Sequence, residues 1–505
     1  MPTDKRRPLN RTGKALLTGA ASFFNYGGNL FVGLVVTPVI VVALGLEQYG
    51  IWVMLGQLFG YISLVDVCPT RVLKLTLATE QHSPDDGMKR RQVGAALIIA
   101  IGALPLFAIS GFLAARFFPQ IFKVSPTLQG MVTGAIAIMT IDAALRNITS
   151  IPASVLRAMN LDYAAMGVNT FVTIFFGLLN IVVVLAGWGI VGLALNAFVA
   201  GLVSSGIRLY IAMKRIPWFG IERPSAAEAR LLLKRSAYFT SDSITMTLGQ
   251  NSETLIIGGI LGAPATALYS LTRTLARMFF EITGQIFSSV NPGLADVAGR
   301  KDNELLSQLR AHIIKTAIVA AISISVLVYF WNASFVSRWV GADKFAGNAV
   351  TALLVAFFSL KLLVSVNRGF MGSLLLIKQE NVSASIKNLA VFFLMWAGTY
   401  LFGIAGAVSA MTAGEAVFLF YLSWVLKKRM PEAPFKKNRV CAALALAGMA
   451  MIFLAPRVQA ASWQTLIMFG FITIIATLTA ITVIILTVED RRFWLRRYKG
   501  LSGTI

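Results

Sequence analysis

The chain has 505 residues, of which 57% are hydrophobic and only 13% charged, with a mean hydropathy of +0.74. That balance excludes an ordinary soluble globule and leaves lipid as the solvent. The net charge of +23 would suit a nucleic-acid partner in a soluble protein, but most Lys and Arg residues stand at the ends of apolar segments. The positive-inside bias and attraction to anionic lipid account for them there without nucleic acid.

Apolar runs such as Leu97–Leu113 and Leu466–Leu486 are continuous rather than alternating. Helices are therefore expected, not a barrel, since every backbone amide in lipid must be satisfied internally. Lys5, Arg6 and Arg7 resemble the start of a secretory signal, but the apolar stretch behind them continues to about Leu44, far beyond a signal core, and is read as a retained span. At about 20 apolar residues per span, segments follow near 15–44, 48–78, 93–115, 127–149, 161–186, 189–212, 231–261, 265–296, 311–331, 346–377, 383–401, 404–426, 440–455 and 463–488, fourteen in all. Several are long enough to require tilt or kinks, with Pro38, Pro69 and Pro292 as candidates.

Alternate connections carry 31 and 5 basic residues. This asymmetry puts both termini in the cytoplasm and requires an even number of spans. The chain also repeats itself. Leu44-Gly45-Leu46 to Ile51-Trp52 matches Leu261-Gly262-Ala263 to Leu268-Tyr269 at an offset of 217, and Gly189-Ile190-Val191-Gly192 matches Gly403-Ile404-Ala405-Gly406 at an offset of 214. Two six-span halves in the same orientation follow, a parallel repeat. The expected fold is all-α and polytopic: lobe 1–212, a basic cytoplasmic linker 213–230, lobe 231–430, and a further pair of spans with a basic tail in 431–505.

Charges inside spans are costly and must face a cavity or a partner. In span eight Arg273, Arg277, Glu281 and Gln285 recur every four residues on one face, and Arg273 and Arg277 lie too deep to snorkel easily. An Arg277–Glu281 pair would leave Arg273 uncompensated. Arg holds phosphate through its planar fork, so contact with an anionic substrate stands beside pairing with Asp242 or Glu253 of span seven. Span one adds Asn25 and Asn29. Span two adds Asp66, then Arg71 and Lys74, which either snorkel or attract phosphate at a cavity mouth. Lys361, Ser365 and Arg368 share a face of span ten. Asp142 and Arg146 neutralise each other at i, i+4. Glu415 titrates, pairs with Lys361 or faces water. Cys68 and Cys441 read as small buried apolar side chains. With only His82 and His312 besides, neither a metal site nor a cofactor is expected. No Gly-x-x-x-x-Gly-Lys-Ser/Thr loop exists, and the connections are too short for a catalytic domain, so an enzyme is not expected.

The motifs Leu44-Gly45 to Tyr49-Gly50-Ile51-Trp52, Gly60-Tyr61 to Leu64-Val65-Asp66, Pro152 to Val155-Leu156-Arg157-Ala158-Met159-Asn160, and the two glycine turns above resemble those of the polysaccharide transporters, or lipid-linked oligosaccharide flippases. These belong to the superfamily that also holds multidrug and toxin extrusion proteins and the lipid II flippase. The resemblance covers roughly 15–430. It departs after Asp66, where Val67-Cys68-Pro69 replaces the Leu-Gly-Leu typical of that family.

The resemblance implies two six-helix lobes around a central cavity, often with two added helices. It also implies export of an undecaprenyl-diphosphate-linked oligosaccharide, such as an O-antigen, capsule or exopolysaccharide repeat unit, across the inner membrane by alternating access. Arg273 and Arg277 would hold diphosphate or acidic sugar, with Asn25, Asn29 and Gln285 on sugar and Arg71, Lys74 and Lys361 as further contacts. Membrane lipids, a polysaccharide polymerase and glycosyltransferases would be its partners. The competing expectations are a drug or cation exporter of the same superfamily, with Asp242, Glu253, Glu281, Glu415 or Asp66 as coupling sites, and a non-transporting scaffold for glycan assembly.

Overall fold

The computed structural model describes residues 11–65, 69–430, 437–453, 460–486 and 490. Among them there is no strand, and nine helices are long and apolar enough to cross a membrane. In chain order the α-helices are α1 (Arg11–Ile62), α2 (Pro69–Thr79), α3 (Asp86–Gly102), α4 (Leu104–Ile121), α5 (Pro126–Thr149), α6 (Ile151–Ala158), α7 (Tyr163–Leu185), α8 (Gly189–Arg215), α9 (Ala226–Leu261), α10 (Ala263–Ser288), α11 (Asn291–Gly299), α12 (Asn303–Trp339), α13 (Asn348–Ser373), α14 (Ile377–Arg429), α15 (Lys437–Phe453) and α16 (Trp463–Ile485). Two of these are double: α1 breaks at Gly45, and α14 at Phe402 and Gly403. With those breaks counted, and with α2, α4, α6 and α11 taken as continuations of the rods they follow, the helices make fourteen rods, in step with the apolar segments.

The internal repeat is visible in the backbone. Gly45 has φ 74 and ψ 173, and Gly262 has φ 89 and ψ 172, so the two matched turns adopt one conformation. It lies in a region essentially reserved for glycine, where a side chain would cost of the order of 1–3 kcal/mol. Sequence and geometry thus agree on why these two glycines recur.

The chain divides into two compact units, 1–264 and 265–505. The division falls one helix later than the start of the second repeat, because α9 packs on α1, α2 and α3. In the first unit, Met54 and Leu55 of α1, Phe107 and Phe118 of α4, Ile136 of α5 and Ile190 of α8 form a buried cluster. A second gathers Leu73 and Leu77 of α2, Val155 and Leu156 of α6, and Trp218.

The connection from α8 to α9 is held by specific contacts. Arg90 donates from Nε to the carbonyl of Trp218 at 2.9 Å, and the backbone N–H of Glu222 donates to the carbonyl of Arg90 at 3.3 Å. Arg91 faces three carboxylates: Glu228 at 3.1 Å, Glu222 at 3.6 Å and Asp85 at 3.8 Å. Ser225 caps α9, its hydroxyl accepting from the N–H of Glu228 while its own N–H and hydroxyl donate to the Glu228 carboxylate. The Ser225 donors first, and Arg91 after them, hold the Glu228 carboxyl below the usual carboxylate range. A depressed carboxyl contributes stability above its unfolded value of about 4.3 and loses it as pH falls through the lower folded value. Protection of amides 218–223 and 225–228, the slowing of their exchange relative to the free peptide at the same pH, is accordingly expected to be high at neutral pH and to fall below about pH 4. Glu228→Gln should abolish that pH dependence.

In the second unit, α13 packs on α12 and α14, meeting Glu380 before the break through Arg368 and Thr412 after it through the carbonyl of Leu353. The arms of α14 approach so closely that a Cβ on Gly398 would lie 2.6 Å from the carbonyl oxygen of Gly406. Lipid is as apolar as any side chain, so such close backbone approach drives helix association where burial alone cannot. α15 and α16 both pack on α12. Val319, Ile322 and Val326 meet Ala443, Ala447, Ile481 and Ile485 there, and Trp331 donates to Thr473 Oγ1 at 3.1 Å. Beyond α16, Asp490 accepts from Lys315 of α12 at 2.9 Å and lies 2.7 Å from His312 Nδ1 of the same helix. Cys441, expected to be buried, is exposed on α15.

Candidate functional site

The charges of the second unit converge on one region built by α10, α13 and α14. Arg273, Arg277 and Glu281 follow one another at helical spacing on α10. Its register is fixed by Asn332, which donates to the carbonyl of Thr272 at 2.9 Å and to Thr351 Oγ1 at 3.1 Å, tying α10, α12 and α13 together. Phe280 stacks on Phe358 at 5.8 Å between centroids, which brings this face of α10 beside α13.

Arg273 is 8% exposed, with its guanidinium 5.1 Å from the Tyr269 ring. Arg277 is half-exposed and donates from Nε to Glu281 Oε1 at 2.8 Å. Lys361 of α13 is exposed, its ammonium 5.4 Å from the Phe357 ring. Four charges act on it: Glu415, Glu281, Lys387 and Arg273. The sequence offers Lys361 as a partner for Glu415, but Lys387 takes that place, its Nζ 2.6 Å from Glu415 Oε1. Glu415 is buried, and its second oxygen, Oε2, has no hydrogen-bond partner among the described residues. Among the described residues the region therefore holds four cations (Arg273, Arg277, Lys361, Lys387) and two carboxylates (Glu281, Glu415), an excess of two positive charges. Lys387 lies near the start of the apolar segment 383–401, where a basic residue reads as an interfacial anchor, and only the folded α14 brings it to Glu415.

Arg368 pairs with Glu380 of α14, and Arg310 of α12 donates to Asn367 at 3.0 Å. Gln285 is exposed near the end of α10.

In the first unit, Asn29, Arg71 and Lys74 are exposed and Glu253 is half-buried. Asp142 and Arg146 form the expected i, i+4 pair. Asp66, and the side chains of Asn25 and Asp242, lie outside the described residues. No group of three or more His, Cys, Asp or Glu side chains suited to a metal occurs among the described residues.

A family model described as polysaccharide biosynthesis protein matches residues 98–343. That stretch, just under half of the chain, is similar to the family. No curated protein sequence matches it. Among solved structures, the chain is similar to the lipid II flippase MurJ in an inward closed conformation, at 13% identity and a TM-score of 0.67, over 93% of this chain and 98% of the other. An inward-facing multidrug resistance MATE transporter of the MOP superfamily aligns at 14% identity and a TM-score of 0.60, over 81% and 94%. The multidrug transporter DinF-BH in complex with R6G aligns at 15% identity and a TM-score of 0.58, over 85% and 98%. The chain thus shares the fold of these solved structures.

Proposed function

We propose that this protein is a flippase for an undecaprenyl-diphosphate-linked oligosaccharide, an O-antigen, capsule or exopolysaccharide repeat unit. It would move its substrate from the cytoplasmic to the periplasmic leaflet of the inner membrane. The observation that carries the reading is the excess of two positive charges gathered by α10, α13 and α14. Excess positive charge in a span is expensive unless an anion visits it, and a diphosphate supplies matching negative charge, gripped most firmly by guanidinium. Arg277 and Lys361 are the accessible members, Arg273 supports them from beneath, and Gln285, Asn25 and Asn29 would bond sugar hydroxyls. Arg71 and Lys74 would receive the headgroup at the surface. The family match supports a glycan as cargo.

Alternating access follows from the parallel repeat, with lobe 1–212 rocking against lobe 231–430 and both termini in the cytoplasm, as the basic-residue bias indicates. A polysaccharide polymerase and glycosyltransferases would act on either side of this step. The cation-exporter reading is less well supplied, because Glu281 and Glu415 are both engaged by cations.

Deleting the gene tests the proposal. Surface glycan should disappear and lipid-linked repeat units accumulate on the cytoplasmic side. Intact glycan together with increased drug sensitivity would transfer the protein to the exporters.

A further inference from the structure

A second cluster of cations lies in the first unit, far along the chain from the one described above. Arg146 is in the last turn of α5, Arg157 in the last turn of α6, and Arg208 on α8 seven residues before that helix ends at Arg215. Two carboxylates accompany them. Asp142 is bound by Arg146, and Asp162 sits 3.7 Å from Arg157. Arg208 is left over. The charges that act on it are Arg157, Asp162 and Arg146, two like and one opposite, and its Nε is buried with no hydrogen-bond partner among the described residues. Beside it on the same face of α8, Ser204 donates to Asn169 Oδ1 at 2.9 Å, and Gly201 leaves room for the Asp142–Arg146 pair.

Arg146 and Arg157 have an ordinary structural explanation, since a cation in the last turn offsets the negative end of a helix. Arg208 does not share it. Seven residues at about 1.5 Å each place it roughly 10 Å back from the end of α8, beyond the reach of that effect. A half-buried guanidinium with a buried, unsatisfied N–H and two neighbouring guanidiniums is an incomplete arrangement. Either electrostatics is left unfavourable or an anion completes it. Three arginines against two carboxylates leave one net positive charge, which a phosphate oxyanion neutralises while accepting from several guanidinium N–H groups at once.

From this we infer that Arg146, Arg157 and Arg208 form a binding site for the phosphate group of a membrane amphiphile, with Arg208 as the central ligand. The shared chemistry is a phosphate oxyanion on a lipid anchor, whether a phospholipid headgroup or a polyprenyl diphosphate. The site is independent of the transport reading, since it shares no residue with the region formed by α10, α13 and α14.

The test uses the full chain in phosphatidylcholine nanodiscs, titrated separately with phosphatidylglycerol, polyprenyl diphosphate and inorganic diphosphate, with bound probe counted by native mass spectrometry. Wild type should retain at least one lipid-anchored probe, and Arg208→Gln should weaken that retention about tenfold or more, the scale of one lost charge-assisted contact. Arg208→Lys should recover part of it, and Arg300→Gln, an exposed arginine paired with Asp296, should leave it unchanged. Loss confined to phosphatidylglycerol assigns the site to bilayer lipid, and loss confined to polyprenyl diphosphate assigns it to a lipid-linked substrate. Either supports the site. Should Arg208→Gln not fold, Arg157→Gln on the exposed edge of the cluster reads the same loss. Equal retention of every probe by wild type and folded variant would overturn the inference, as would retention of inorganic diphosphate alone.

Discussion

Arg277→Ala and Lys361→Ala are each expected to lower export roughly thirtyfold while leaving the amount of inserted protein unchanged, taking about 2 kcal/mol for each lost charge. That figure is the interaction of two unit charges about 8 Å apart at an effective dielectric constant of about 20. Both side chains are accessible, so their loss removes attraction for an anion without opening a void. Arg273→Ala should behave differently. Its side chain is buried against Tyr269, and its removal should also lower the yield and melting temperature of the folded protein. Flux of a lipid-linked oligosaccharide in proteoliposomes, measured beside protein yield, separates the two effects. Full export by both Arg277→Ala and Lys361→Ala would sink the phosphate-holding role, whatever Arg273→Ala does.

The distinction between Arg273 and Arg277 was not legible in the sequence. Spacing by four places both on one face of α10, and depth along the helix makes both costly, but only the packing of α10 on its neighbours decides which one is covered. What could be read were features that a single helix or turn determines for itself. The apolar run lengths match the fourteen rods. The two glycine turns 217 residues apart share one backbone conformation because only glycine takes it cheaply. The i, i+4 pairs Asp142–Arg146 and Arg277–Glu281 are in place.

Partners on different rods escaped for a common reason. Lys387 and Glu415 are 28 residues apart across the kink at Gly403, and Asp490 reaches Lys315 across 175 residues. No periodicity relates such positions, and only the docking of helices brings them together. Arg208 escaped differently. Near the end of an apolar segment a single arginine looks like one more interfacial anchor, and its orphaned Nε is a property of the packed unit, not of α8.

The Lys387–Glu415 pair should produce the largest single effect on stability. Lys387→Ala leaves the Glu415 carboxylate buried with neither oxygen satisfied, since Oε2 has no partner already and Oε1 loses its only described one. Breaking a buried pair from one side typically costs about 3–5 kcal/mol, whereas replacing both members by apolar residues is often neutral. The single variant is therefore expected to fall sharply in melting temperature and yield. The double variant Lys387→Leu, Glu415→Leu should return close to wild type in both. Once stability is restored, export by the double variant reads the pair's second role directly. Lys387 and Glu415 both act on Lys361, with opposite signs, so removing them together leaves the excess of two positive charges intact. Export should survive in large part if that excess is what the substrate meets. A stable double variant without export would instead make the ion pair itself part of the transport cycle, with Glu415 released from Lys387 at some step.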